Sequence, residues 1–160
     1  MPAGATYEPI ATTSISSSSY TFSSFPSTYT DLVLVAVGTS SGTNINYGLR
    51  LNGDASSIYG VTRIIGDGST ASSDGVNTFT NTTFTSNYHS NQATSVYNIM
   101  SYSSSSVNKN IICTASNNNG AVLYSVSCYR SNSAITSIEF LTTTSFAFTG
   151  TLTLYGIAAA

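Results

Sequence analysis

The sequence predicts an all-β fold: one antiparallel β-sandwich domain over residues 1–160, jelly-roll-like, with about 8–11 short strands. Two observations predict this class. β-Branched and aromatic residues recur in short runs, many of them alternating with polar residues. Gly, Asn, Asp and Ser clusters separate these runs, as turns do between strands. In addition, no segment repeats its apolar residues with a helical period.

Each apolar run is assigned to a strand in chain order. Leu32–Val37 is apolar on both faces, so we expect a central strand that is covered on both sides. Thr149–Leu154 alternates Thr with Leu, which predicts a strand with one buried face. The predicted strands are Glu8–Ile15, Ser19–Ser23, Asp31–Thr39, Ile45–Leu51, Tyr59–Ile65, Asn77–Thr85, Thr94–Tyr102, Asn108–Ser116, Ala121–Tyr129, Ile135–Leu141 and Thr149–Ile157.

The clearest local element is a hairpin around Asn119-Gly120, a dipeptide typical of two-residue type I′ loops. In that register Asn118 pairs with Ala121, and the apolar residues of both strands share one face. That face consists of Ile111, Cys113, Ala115, Val122, Tyr124, Val126 and Cys128, and the opposite face holds Thr114, Ser125 and Ser127.

The two cysteines, Cys113 and Cys128, do not form a disulfide framework. In the predicted register they lie diagonally on one face, about 7–8 Å apart. Because a disulfide needs Cβ atoms about 3.5–4.5 Å apart, we predict two free, buried thiols. A shift of the loop by one residue would place them on opposite faces, and it would not create a bond either.

The charge content is unusually low. Only 6% of residues are charged, against about 25% in an ordinary domain, while 41% are apolar. No apolar run approaches the roughly 18–20 residues of a membrane-spanning helix, and four basic residues exclude a basic nucleic-acid-binding surface. A polar but nearly neutral surface favours a protein that lives inside an assembly, although such a surface also suits an extracellular adhesin.

The sequence has few residues suited to catalysis or to metal binding. His89 could act as a base or a ligand, but its neighbours Asn87–Asn91 are typical of a turn, and no nucleophile motif is present. A Ca²⁺ site at Asp54 and Asp67 would lack any known spacing, and the Asn81 sequon is expected to be fortuitous. We therefore expect no enzyme, no cofactor and no metal.

We expect four tyrosines to pack in or near the core: Tyr97, Tyr102, Tyr124 and Tyr155.

Several segments, in order along nearly the whole chain, resemble a family of small tailed-phage virion proteins that is common in phages of marine and freshwater bacteria. The segments are Met1–Ala11, Phe25–Val35, Leu49–Asp54, Tyr129–Ser131, Ala134–Ile138 and Thr153–Ile157. The resemblance implies a virion structural role, in capsid decoration or in a tail or fibre, and it implies no catalytic residues. Residues 55–91 carry little of it.

Two functional hypotheses follow. The first is a decoration or cement protein on the particle exterior that contacts the major capsid protein or tail components. It would be a homo-oligomer, with a trimer favoured by the symmetry of such sites. The second is a tail-fibre module that binds host glycans through three loops, Asn52–Ile58, Gly66–Asp74 and Asn87–Asn91. The first residues, Met1–Thr6, lack the features of a secretory signal, so we expect synthesis in the host cytoplasm.

Overall fold

The computed structural model describes residues 6–42, 45–82, 92–118, 120–142 and 146–158. These residues contain eleven strands and no helix, and so no helix long and apolar enough to cross a membrane. The strands are β1 (Tyr7–Ser17), β2 (Ser19–Ser23), β3 (Asp31–Ser40), β4 (Tyr47–Leu51), β5 (Tyr59–Gly66), β6 (Ala71–Phe79), β7 (Ala93–Ile99), β8 (Lys109–Asn117), β9 (Val122–Tyr129), β10 (Ser137–Thr142) and β11 (Phe148–Ile157).

The strands form two antiparallel sheets that pack as a sandwich. The larger sheet has the order β1-β11-β3-β7-β8-β9-β5-β6, and the smaller sheet has the order β2-β10-β4. The chain passes back and forth between the sheets over its first five strands, and it does so again around β10. The predicted antiparallel β-sandwich with jelly-roll-like connections is therefore confirmed.

Ten of the predicted strands coincide with observed strands to within three residues at each end. The exception is Asn77–Thr85: the strand there is β6, Ala71–Phe79, residues 80–82 belong to no strand, and residues 83–85 lie outside the described residues. The Asp67 side chain accepts hydrogen bonds from the Ser69 and Thr70 N–H groups, so the chain turns early and β6 begins directly afterwards. Nearly all β6 side chains are exposed, so this strand has no apolar alternation that the sequence could reveal.

The core lies between the sheets and includes a cluster of three aromatic rings. Tyr47 and Phe140 come from the smaller sheet and Phe148 from the larger one, with ring centroids 5.0–5.7 Å apart. In β11, Leu152 and Leu154 are fully buried while Thr151 and Thr153 are half-buried, which confirms the predicted alternation.

Strand β3 is central in the larger sheet, between β11 and β7, as predicted. Its inward residues Leu32 and Leu34 are fully buried. On the other side Val33 is buried, but Val35 and Val37 are only half-buried. The expectation of cover on both faces is therefore wrong for most of the outer face, because the second sheet lies on one side of β3 only.

The predicted register of the β8–β9 hairpin is wrong by one residue. Asn117, rather than Asn118, faces Ala121, and their backbones are joined by an N–H···O bond of 3.1 Å. The Asn117 side chain also accepts a bond from the Ala121 N–H at 3.1 Å, and Gly120 has a φ of 85°. A three-residue loop that uses a left-handed glycine therefore replaces the two-residue type I′ loop.

The shifted register exchanges the inward and outward faces of β9 relative to the prediction. Val122, Tyr124 and Val126 point outward and are exposed, whereas Ser125 and Ser127 are buried. Both serine hydroxyls lack a hydrogen-bond partner among the described residues. The strand thus places Val122, Tyr124 and Val126 in solvent and buries Ser125 and Ser127 beside Leu123 and Tyr129, so two small polar residues occupy core positions.

Both cysteines are free, as predicted, but they lie on opposite faces of the sheet. Cys113 is buried in the core, and Cys128 is half-buried on the outer face. The prediction that both are buried on one face is therefore wrong. The register shift by itself explains this, because neighbouring residues along a strand point to opposite faces.

We expect one thiol per folded chain to react with a thiol reagent such as DTNB. Burial raises the pKa of the Cys113 thiol, so it should react only on unfolding, whereas Cys128 is partly accessible. The reaction is followed by absorbance in native buffer and in denaturant. The variant Cys128→Ser should lose the native-state reaction, and rapid native labelling of Cys113 would contradict the observed register.

Candidate interaction surface

The outward side of the larger sheet, here called the outer face, presents three rows of side chains across all eight strands. The middle row consists of Thr12, Thr153, Val35, Val96, Thr114, Tyr124, Ile64 and Ser73. One flanking row consists of Ser14, Thr151, Val37, Thr94, Ser116, Val122, Gly66 and Ala71, and the other of Pro9, Tyr155, Val33, Asn98, Ile112, Val126, Thr62 and Gly75. The smaller sheet packs on the opposite side, so in the described residues this face is open to solvent.

Four large apolar side chains cluster at the β9–β5 part of the outer face and form what we call the apolar patch. Their exposed fractions are 57% for Ile64, 58% for Val122, 45% for Tyr124 and 42% for Val126. Ile64 lies directly opposite Tyr124 across the β5–β9 ladder. Single exposed hydrophobic residues are ordinary, but a contiguous group of them makes this part of the outer face a candidate interaction surface.

The outer face has two shallow depressions. The larger, about 410 Å³, lies beside the apolar patch and is lined mainly by Val96, Thr114, Ile64, Val122 and Tyr124. The smaller, about 240 Å³, lies toward the other end of the strands and includes Tyr7, Asp31, Asn98, Met100 and Ile112. The larger depression offers aliphatic and aromatic surface with a few hydroxyl groups.

All ten charged residues of the chain are described, and none lies in the three rows. Arg50 and Glu139 form an ion pair of 2.9 Å on the smaller sheet. Arg63 pairs with Asp74 on the inward side of β5 and β6. Lys109 is fully buried and donates to backbone carbonyls, and burial lowers its pKa. The charges are thus kept out of the three rows, and Asp31 lies beyond them at the start of β3, where it lines the smaller depression.

Of the four tyrosines expected in or near the core, Tyr97 and Tyr102 are buried as predicted. Tyr155 is half-buried, on the outer face. Tyr124 is not in the core, because the corrected register of β9 places it in the apolar patch. The sequence gives the opposite signal for this residue, because the alternation of β9 favours burial of the face that holds Val122, Tyr124 and Val126.

The polar side chains of two predicted glycan-binding loops serve the loops themselves. Asn52 donates to the Ala134 carbonyl at 2.9 Å and accepts from the Thr136 N–H at 2.8 Å. Asp54 accepts hydrogen bonds from Ser56 and from the Tyr129 hydroxyl, the latter at 3.1 Å. These bonds tie the loop to Tyr129 at the end of β9 and to the segment before β10.

In the other loop, Asp67 accepts bonds from the following N–H groups and Asp74 is paired with Arg63. The third predicted loop, Asn87–Asn91 with His89, lies outside the described residues. Asn81 of the sequon is buried. Within the described part of the chain, no three His, Cys, Asp or Glu side chains form a group suited to a metal ion.

We expect the protein to lose stability in acid. The Ser56 hydroxyl and N–H hold the pKa of Asp54 below its usual value, and the Thr70 and Ser69 N–H groups do the same for Asp67. A lowered folded-state pKa stabilises the fold above the unfolded pKa of about 3.9, and this stabilisation is lost as pH falls through the folded-state value. Denaturant unfolding should therefore give a constant free energy near pH 5–7 and a decrease below about pH 4.

The matched variant for this test is Asp67→Asn, which cannot titrate. Its free energy of unfolding should be lower than that of the wild type at neutral pH, and the difference should shrink in acid. Equal acid sensitivity in both proteins would show that the Asp67 turn does not contribute.

Comparisons with known proteins add little to these observations. No protein-family model matches the chain, and no curated protein matches it. Among solved structures, it is similar to the galectin LEC-6 of Caenorhabditis elegans, with a TM-score of 0.39, 10% sequence identity and 96% of each chain covered. At this level of similarity we draw no functional conclusion from the overlap.

Proposed function

We propose that this chain is a non-enzymatic structural protein of the phage exterior, a capsid decoration or cement protein that binds its neighbours through the outer face. The observation that carries the proposal is the combination of the apolar patch with three rows that hold no charged residue. The resemblance of the sequence to small tailed-phage virion proteins supports a virus particle as the assembly.

The outer face is large enough for a specific interface. Eight strands about 4.8 Å apart and three rows about 7 Å apart cover roughly 700 Å². A standard protein interface buries about 800 Å² on each partner. Burying the four side chains of the apolar patch would supply the favourable free energy, since a fully buried Val or Ile contributes about 1.5–3 kcal/mol.

The chemistry of the outer face suits a protein partner better than a glycan. Sugar recognition depends on precisely placed polar groups that orient the ligand. Across the three rows the only amide side chain is Asn98, and the larger depression is mainly aliphatic and aromatic. Apolar side chains of a neighbouring virion protein would fill the apolar patch, and polar groups of that partner would pair with the Ser and Thr hydroxyls of the rows.

The neutral face also determines how binding should respond to salt. Contacts between charged groups weaken as ionic strength rises, because salt screens them. With no charged residue in the three rows, attachment should be nearly independent of salt. That behaviour would keep the protein bound to a particle in seawater.

The proposal is tested on particles of the phage that encodes the chain. Particles made without the gene are mixed with purified protein and sedimented, at low and at high salt, and cryo-electron microscopy then locates the bound copies. We expect co-sedimentation at both salt concentrations and density on the capsid lattice. Protein that stays in the supernatant would overturn the proposal, and density at the tail tip would replace it with the tail-fibre hypothesis.

A further inference from the structure

The two edges of the larger sheet, β1 and β6, differ in how they are protected. An edge strand offers unpaired backbone groups to other chains, and proteins blunt such edges with proline, lysine or bulges. Strand β1 contains Pro9 and has an extra residue, Ile10, in its register with β11. Strand β6 has neither proline nor lysine; its one extra residue lies near its end, between Val76 and Phe79, and from Ala71 to Val76 it pairs regularly with β5.

Strand β6 is also exposed along its length. Eight of its nine residues are exposed, and only Phe79 is half-buried. It therefore buries little apolar surface, and the ladder to β5 is its main described support. A long, exposed edge strand of this kind is a template for pairing with another strand.

The edge carries no net charge that would repel a second copy. Asp74 is the only charged residue of β6, and the Arg63 guanidinium on β5 donates hydrogen bonds to its carboxylate. This ion pair also lowers the pKa of Asp74, so the carboxylate stays ionised and paired. Two such edges can approach each other without like-charge repulsion.

We propose that β6 pairs with β6 of a second copy of this chain, antiparallel and about a twofold axis, so that the two larger sheets become one continuous sheet. This inference concerns the backbone edge of β6 rather than the side chains of the outer face, and it does not depend on the proposed function. Identical copies related by a twofold axis are the commonest form of oligomer.

The register of this pairing follows from β6 itself. A twofold axis perpendicular to the joined sheet leaves the outward face of both copies on the same side. Residues directly opposite each other must then share a face, so one residue of β6 lies opposite its own copy across the axis. An axis at Asp74 would place two carboxylates directly opposite each other. An axis at Gly75 would extend the pairing into the irregular part of β6, where an extra residue lies between Val76 and Phe79. An axis at Ser73 pairs Ala71–Gly75, all within the regular segment, and places Asp74 opposite Ser72 of the second copy, whereas an axis at Ser72 would pair only Ala71–Ser73 of the strand.

Sedimentation velocity tests the proposal with one pair of matched variants. Wild-type protein should have twice the 16.7 kDa mass of one chain. Ser73→Lys places two ammonium groups opposite each other on the axis, so it should be monomeric. Ser14→Lys is the control, because Ser14 is also exposed on the outward side of an edge strand but belongs to β1. It should remain a dimer, and circular dichroism should show both variants folded.

A cross-link tests the register directly. In a Cys128→Ser background, Ser73→Cys places two Cβ atoms directly opposite each other at about 4.5 Å or slightly more, the upper end of the separation that a disulfide spans, so mild oxidation should give a disulfide-linked dimer. Ser14→Cys in the same background should stay uncrosslinked. A monomeric or trimeric wild type, or a Ser73→Lys variant that remains dimeric, would overturn the proposal. A monomer that still binds particles would overturn it without affecting the proposed function.

Discussion

Replacing Gly38 with alanine should destabilise the protein by about 3 kcal/mol, among the largest effects that a single added methyl group can have. Gly38 lies directly opposite Gly150 in the β3–β11 ladder. A Cβ at Gly38 would lie 2.5 Å from the Thr149 carbonyl oxygen and 2.5 Å from the Phe148 ring. Both strands are interior, so neither backbone can move away without disturbing the neighbouring ladders. Urea unfolding measures the loss.

Gly66→Ala is the matched control for this prediction. Gly66 also lies in an interior strand, but a Cβ there would meet only the Val122 side chain, at an ordinary 3.5 Å. Alanine is favoured over glycine in a strand by roughly 0.5–1 kcal/mol, so this variant should be unchanged or slightly more stable. If Gly38→Ala proved as stable as Gly66→Ala, the close approach of β3 and β11 would be refuted.

Val126→Asp should weaken attachment to the virion at least about 100-fold, because an unpaired carboxylate buried in an interface costs about 3 kcal/mol or more. Val126 belongs to the apolar patch and is 42% exposed. The free protein should therefore tolerate the charge, with a change of no more than about 1 kcal/mol in the free energy of unfolding. Titration of gene-deleted particles with labelled protein measures the affinity.

The control is Val107→Asp. Val107 is the same residue type with a similar exposure of 46%, but it lies outside the three rows of the outer face. This variant should bind particles as the wild type does. If both variants lost binding equally, attachment would depend on general charge rather than on the outer face. If neither did, the outer face would not be the binding surface.

The fold class and most strands could be predicted because alternation and turn residues are local properties. Leu152 and Leu154 alternate with threonine, and their burial follows from that pattern. Strand β6 could not be predicted, because it is exposed on both sides. Its position depends on the Asp67 turn and on pairing with β5, and neither of these produces a hydrophobic pattern in the sequence.

The interaction surface could not be predicted for a related reason. Alternation along β9 shows that Val122, Tyr124 and Val126 share a face, but it does not show which face meets the core. The sequence favours burial of the aliphatic face. The structure buries Leu123 and Tyr129 instead, and the Tyr129 ring stacks on Tyr59 with centroids 4.9 Å apart.

By itself the sequence determined the all-β class, ten of the eleven strands, the absence of a disulfide between Cys113 and Cys128, and a chain with few charges. Only the tertiary structure decided which side of the larger sheet is open and which side chains it presents. The physical reason is that one residue in the β8–β9 loop shifts the register. A shift of one residue exchanges the two faces of a strand.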